Sequence, residues 1–190
     1  MRLVLATRNA HKAREFAELL PGHEVVELPE AVVLPPETGE TFAENALGKA
    51  RAAAAATGMA AFADDSGIAV PMLGGDPGVR SARWAGENAG DSDNLRLLLQ
   101  RVPDGAALEY VCAIAFTDPA SGDEQTFEGR CAGRMTTTPR GTGGFGYDPA
   151  FVPADEASGR TMAELSVAEK DAISHRGRAA RELLAWLTAR

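Results

Sequence analysis

The sequence predicts a mixed α/β domain. Apolar strand-like runs alternate with segments of helical periodicity through the first half of the chain. Two long strand-like runs, joined by turn residues, form a hairpin near the middle. A regularly spaced amphipathic helix closes the chain. The 190 residues suit a single domain spanning 1–190, with 45% apolar and 24% charged residues. A chain of this length buries roughly 70% of the surface it exposes when unfolded, so it needs no disulfide or metal to fold.

Arg2 to Ala6 reads as a short buried strand. Asn9 can then cap a helix reaching about Leu20, with Ala13, Phe16, Ala17 and Leu20 on one face. Pro21-Gly22 ends it. Glu24 to Leu28 is a second strand, and a connection carrying Pro29, Pro35 and Pro36 follows. Thr41-Phe42-Ala43-Glu44 has the capping-box pattern, and Gly58 is placed to stop the helix it opens. Met59 to Ala63 reads as a buried strand ending at Asp64-Asp65-Ser66-Gly67, with Ile68 to Met72 continuing as a strand and Leu73 to Gly78 as a loop. Asp91 or Ser92 caps a helix to about Arg101. Strands near 108–117 and 125–135 form the hairpin, and a Gly-rich loop spans 139–149. A weaker helix lies near 162–168. The last helix runs from about Ser174 to Leu187, with Ala180, Leu183, Leu184 and Leu187 in helical register.

Charge and composition exclude some classes of function. The net charge is −8, from 27 acidic residues against 19 Lys and Arg, which argues against a broad nucleic-acid-binding face. A small anionic ligand needs only a few local cations. Lysine is rare: Lys12, Lys49 and Lys170 are the only three. Their scarcity fits either chance or a need for a compact ammonium at those places. No run approaches the 20 apolar residues of a membrane span, and the N-terminal apolar stretch is too short for a signal peptide. Cys112 and Cys131 make no framework, so a reduced, cytoplasmic protein is expected.

Five segments can carry chemistry. In Thr7-Arg8-Asn9-Ala10-His11-Lys12, a helix opens with cations where its dipole favours anions. That conflict suggests a phosphate site; a solvated basic turn capped by Asn9 is the plain alternative. Asp64-Asp65-Ser66-Gly67 places two carboxylates at the end of an apolar strand, where burial is costly without a cation or partner. Such oxygens suit Mg²⁺, and one can act as general base for water; the alternative is an Asx turn. Glu37-Thr38-Gly39, with Asn45 and Lys49 one helical turn apart beyond it, is weak alone, since a loop Glu is usually just solvated. Gly141 to Pro149 contains G-x-G-x-x-G but lacks the strand before and helix after that a dinucleotide fold requires. Its glycines allow close backbone approach to a ligand, with Phe145 as a stacking surface, or they make a structural turn. Glu169 to Gly177 offers Lys170, His175 and Arg176 as donors for a carbonyl or an anion, or a solvated basic helix end.

Taken together and in this order, these segments resemble the inosine triphosphate pyrophosphatase family. The matching motifs are Ala6 to Lys12, Glu37-Thr38-Gly39 with Phe42 to Ala46, Ala63 to Gly67, Gly141 to Pro149 and Ser174-His175-Arg176-Gly177. The resemblance implies hydrolysis of deaminated purine triphosphates (ITP, dITP, XTP) to a monophosphate and pyrophosphate. It also implies an elongated mixed sheet with flanking helices, two lobes around a substrate cleft, a homodimer and Mg²⁺. By the same resemblance, Thr7, Arg8, Asn9, Ala10, His11 and Lys12 bind the triphosphate, and Ser66 and Lys49 lie in the phosphate pocket. Asp65 is the base and a metal ligand, and Glu37 is the second ligand. Phe145, Gly146, Tyr147, Asp148, Lys170, His175 and Arg176 hold the base. Two other functions stand beside this one. A septum-inhibition-type pyrophosphatase would prefer modified pyrimidines or methylated bases. A catalytically silent nucleotide sensor would retain the binding residues alone.

Overall fold

The computed structural model describes residues 1–189. Six strands form one mixed sheet: β1 (Arg2–Leu5), β2 (Glu24–Glu27), β3 (Ala61–Ala69), β4 (Ala107–Asp118), β5 (Asp123–Met135) and β6 (Phe151–Pro153), in the order β2-β1-β3-β4-β5-β6. Around them lie α1 (Ala10–Leu19), α2 (Phe42–Thr57), α3 (Asp91–Arg101), α4 (Val167–Ile173) and α5 (His175–Thr188). β1 pairs in parallel with both β2 and β3. The connections that parallel pairing demands carry α1 and α2. Only residues 119–122 join β4 to β5, too few for a parallel crossover, so this is the expected hairpin. Gly122, at φ +78°, closes it by donating its N–H to Asp118 O at 2.8 Å. β6 lies antiparallel on β5.

By contacts the chain forms two compact units. The first holds Met1–Asp65, Cys112–Gly129 and the described residues from Arg176 onward. The second holds Ser66–Val111 and Arg130–His175. Each has its own core. In the first unit the period-two alternation of β1 and β3 separates two faces. Leu3, Leu5 and Phe62 pack with Phe16 and Leu20 of the α1 segment and with Ala179, Ala180 and Leu183 of α5. Phe16 meets Phe62 edge-on, with ring centroids 5.2 Å apart. On the other face Val4, Ala6, Ala61, Ala63 and Ala115 meet Ala46, Ala50, Ala53 and Ala54 of α2. That face is built almost wholly of alanine, so α2 lies close to the sheet and its polar side chains stand near the strand ends. In the second unit Ile68, Val70, Leu98, Leu108, Phe151 and Met162 form the core.

The capping box at Thr41 and Glu44 and the left-handed stop at Gly58 (φ +66°) stand as expected. So does the Asn9 cap, whose side chain accepts from His11 N and Lys12 N. Other boundaries differ. β3 does not end at Ala63 but runs on through Asp64, Asp65, Ser66 and Gly67 to Ala69, because both carboxylates have partners. Gly67 allows this path, since a Cβ there would collide with Ser81 and with Gly78 O. The strand expected to reach Met72 gives way at Pro71 to a 3₁₀ turn, Pro71–Leu73, as proline lacks the ladder donor. A second 3₁₀ segment, Gly78–Arg83, has no sequence signal. The weak helix near 162–168 is two elements, a 3₁₀ turn at Met162–Glu164 and then α4, because Ser166 and Glu169 form a separate capping box. β6 is too short to show a periodicity.

The alanine face of α2 gives a direct test of packing. Ala50 is fully buried while Ala55 of the same helix is exposed. Ala50→Leu should destabilise the protein by about 1–3 kcal/mol through overpacking, and Ala55→Leu by less than about 0.5 kcal/mol. Urea denaturation of both variants measures this; equal midpoints would show that α2 does not sit tightly on the sheet.

Candidate active site

Strand periodicity divides the labour of the two adjacent aspartates. Asp64 follows Phe62 onto the face of α1 and α5, and Asp65 follows Ala61 and Ala63 onto the face of α2. Asp64 is completely buried. Its Oδ2 accepts from Lys12 Nζ at 2.9 Å and from Arg176 Nη2 at 3.3 Å. Burial alone pushes this carboxyl upward, but Lys12, Arg176 and Lys49 together outweigh it and hold the group far below the ordinary carboxylate range. Asp64 is therefore a fixed anion. The same cluster pushes the buried Cys112 thiol well above its usual value, chiefly by burial and then by the Asp64 charge, so Cys112 is inert.

Asp65 has the opposite character. Its Oδ2 accepts from Asn45 Nδ2 at 2.9 Å. Burial and the Glu37 charge raise its pKa above the ordinary value, against the opposing pull of Lys49, the Asn45 hydrogen bond and Lys12. Lys49 lies one turn beyond Asn45 on α2. Its Nζ donates to Glu37 Oε1 at 2.5 Å and to Asp64 O at 2.7 Å. Burial disfavours its charge, but Asp64, Glu37 and Asp65 raise its pKa, so it remains an ammonium. Glu37, Asn45 and Lys49 make a weak signal in the sequence alone. The fold gathers them around Asp65.

At the start of α1, Thr7 Oγ1 accepts from Asn9 N at 3.2 Å, and Asn9 Oδ1 accepts from His11 N at 2.9 Å and Lys12 N at 3.3 Å. No acidic residue stands in this first turn. Ala10 and His11 are exposed. Arg8 is turned to the chain that follows β2, where its guanidinium donates to the carbonyls of Leu28, Pro29, Glu30 and Val32. Arg176, read from sequence as a donor to the base, is buried and donates to Glu15 Oε2 and Asp64 Oδ2. With those partners it acts as a counter-ion. Ser66 is half-buried and shares the face of Asp64 by strand alternation.

The second unit gathers the remaining candidates around Asp148. Buried Asp148 accepts from Tyr110 OH at 2.9 Å through Oδ1, and from Lys170 Nζ at 2.9 Å and Phe145 N at 3.1 Å through Oδ2. Gly144 takes φ +68°, and a Cβ there would strike the Asp148 carboxylate, so glycine is required. The Lys170 ammonium lies 5.3 Å from the Phe145 ring centroid. His175 stacks on Tyr110 with centroids 4.5 Å apart and planes 5° from parallel. Gly146 N donates to Asp91 Oδ2 at 3.0 Å, and Tyr147 OH donates to Ser81 O at 2.7 Å, which fastens the loop to the segments around α3. Sequence reasoning missed Tyr110, Asp91 and Glu15. Tyr110 looks like any strand aromatic, and only its position opposite Asp148 reveals it.

Glu37 and Asp65 supply hard oxygen donors. Mg²⁺ takes one or two carboxylates and fills its remaining positions with water and substrate phosphates. Among the described residues no cluster of three or more His, Cys, Asp or Glu is placed for a metal. The Glu37 and Asp65 side chains offer oxygen only, the hard donors that Mg²⁺ prefers, so these residues fit the ion.

The depressed Asp64 predicts an acid sensitivity. A folded-state pKa below the unfolded value of about 3.9 contributes stability that is present above that value and lost as pH falls below it. Asp64→Asn leaves Lys12 and Arg176 without their buried counter-ion and should cost about 3–5 kcal/mol at pH 7. The gap in urea midpoint between wild type and variant should shrink as pH falls from about 5 toward about 2. A gap independent of pH would show that Asp64 is not held as an anion.

Comparisons with known proteins give the family. The Ham1 family model matches residues 3–186. A dITP/XTP pyrophosphatase of Symbiobacterium thermophilum is 52% identical over 99% of this chain and 95% of its own length. A HAM1 protein from Coxiella burnetii superposes with a TM-score of 0.88 at 39% identity, covering all of both chains. A nucleoside-triphosphatase / dITP/XTP pyrophosphatase from Mycobacterium abscessus gives a TM-score of 0.74 at 46% identity, over 97% of this chain and 99% of its own. The core, the paired aspartates and the Gly-rich loop all fall inside the matched span, and the chain belongs to the Ham1 family.

Proposed function

We propose that this protein hydrolyses deaminated purine nucleoside triphosphates, ITP, dITP and XTP, to the monophosphate and pyrophosphate, removing them from the nucleotide pool. The observation that carries this function is the opposite tuning of neighbouring carboxylates. Asp64 is locked as an anion by Lys12 and Arg176, while Asp65 is raised toward proton-accepting strength. Close relatives named dITP/XTP pyrophosphatase support the substrate class over the modified-pyrimidine alternative.

In this mechanism Asp65, steadied by Asn45, accepts a proton from water as the water oxygen attacks the α-phosphorus. The bond from that phosphorus to the α–β bridging oxygen breaks, and pyrophosphate leaves with the bond's electron pair. Glu37 and Asp65 would hold Mg²⁺, which would supply charge neutralisation on the phosphates. Lys49 positions Glu37. Lys12, Ser66 and the start of α1 receive the triphosphate. Lys170, which donates to Asp148, receives the base together with His175 and the Phe145 ring. A 6-oxo group accepts from such donors, whereas the 6-amino group of adenine faces them as another donor. A homodimer in the cytoplasm belongs to the same proposal. Among the described residues no helix is long and apolar enough to cross a membrane.

Two measurements test this function. Asp65→Asn should lower kcat for dITP by at least about 10²-fold, while KM changes little, because a base acts in the transition state. Near-normal kcat in that variant, with Mg²⁺ present and pyrophosphate release followed, would overturn the assignment. Lys170→Met should lower the ITP-to-ATP ratio of kcat/KM by about ten- to hundredfold, the worth of one hydrogen bond from a charged donor. If both substrates fall equally, Lys170 serves only to hold Asp148 and the loop.

A further inference from the structure

We infer that Arg8 is a positioning residue, which clamps the turn leading to Glu37 and thereby sets the Mg²⁺ affinity of the site; this rests on the function proposed above. Arg8 reads from the sequence as a phosphate contact, yet both of its Nη atoms donate to backbone carbonyls. Nη1 donates to Leu28 O at 2.8 Å. Nη2 donates to Pro29 O at 2.8 Å, Glu30 O at 3.2 Å and Val32 O at 2.8 Å. Nη2 has two hydrogens for three carbonyls, so one of these bonds is shared. A planar fork suits this task because it reaches several acceptors that face one way, and each bond is strengthened by the charge.

The carbonyls belong to a turn that Val32 N closes on Pro29 O at 3.0 Å. From Leu28 to Thr41 the chain has neither helix nor strand, so backbone ladders do not fix its path. Its anchors are few. Leu28 is buried with Val4, Ala6 and Ala46, and Val32 and Leu34 pack against the same cluster. At the far end Gly39 N donates to Asn45 Oδ1 at 2.7 Å, and Glu37 is held by Lys49. Arg8 is the polar anchor at the near end. It also sits between Thr7 and Asn9, the residues that order the first turn of α1. One residue thus ties the segment that presents Glu37 to the segment that receives phosphates. Both segments lie within the first compact unit.

Arg8→Ala and Arg8→Lys separate a clamp from a charge. Lysine keeps the charge but concentrates its donors on one nitrogen, so it cannot span four carbonyls. In the protein without nucleotide, backbone amide exchange of residues 29–38 should rise by about tenfold or more in both variants, with amides of β3 and α5 unchanged. In the pyrophosphatase assay the Mg²⁺ concentration for half-maximal rate should rise by about tenfold in both, the usual cost of losing support behind a metal ligand. KM for dITP at saturating Mg²⁺ should move by less than about twofold. Unchanged exchange in 29–38 overturns the clamp. So does a raised KM that Arg8→Lys restores, since that marks a phosphate contact. If exchange rises throughout β3 and α5 as well, Arg8 serves global stability and the inference fails. Should wild-type protein release no pyrophosphate from dITP, the proposed function falls, and the exchange measurement still decides whether Arg8 clamps the turn.

Discussion

The structure of the first unit depends on keeping one buried carboxylate charged. Asp64 has no exposure, and an unpaired anion in that position would cost several kcal/mol. Lys12 from α1 and Arg176 from α5 meet it on one face of the sheet, and Lys49 from α2 donates to its backbone oxygen. Three helices far apart in sequence are thereby tied to one residue of β3. The compensation is electrostatic and geometric together, because two of these cations also bind elsewhere. Arg176 binds Glu15 and lies over the Phe16 ring at 5.9 Å. Lys49 holds Glu37.

From that constraint the character of Asp65 follows. The cations spent on Asp64 are not fully available to its neighbour, and Asp65 accepts from Asn45 beside the like charge of Glu37. A two-residue repeat on a strand is the simplest way to give adjacent carboxylates different surroundings. It places one among cations and the other among groups that leave its basicity intact. Adjacent carboxylates thus meet different surroundings, Asp64 between Lys12 and Arg176 and Asp65 beside Asn45.

The second unit solves a comparable problem with a different charge pair. Asp148 and Lys170 are both buried and bonded to each other, so neither charge is left alone. The remaining acceptor capacity of Asp148 is used on Tyr110 and on the Phe145 amide, which fixes the Gly-rich loop from within. Asp91 and the Ser81 carbonyl fix it from the flank. The loop is thereby tied both from within and from the flank.

Much of this was legible in the sequence. Caps, stops and helical spacing are local signals, so α1, α2, the hairpin and α5 could be read from neighbouring residues. The five motifs also identified the family, because each is a compact run of unusual residues. The partners of those residues were not legible. Arg8 and Arg176 read as ligand donors because a cation near a helix start looks the same whether it faces a phosphate, a carboxylate or a row of carbonyls. Tyr110 and Glu15 carry no local mark at all. The extension of β3 through two aspartates ran against a polarity pattern that normally ends a strand. Sequence determined which chemical groups this protein possesses and the elements that carry them. Only the tertiary structure decided which charges neutralise one another and which are left for chemistry, since pairing depends on distances of about 3 Å between residues as far apart as Asp64 and Arg176.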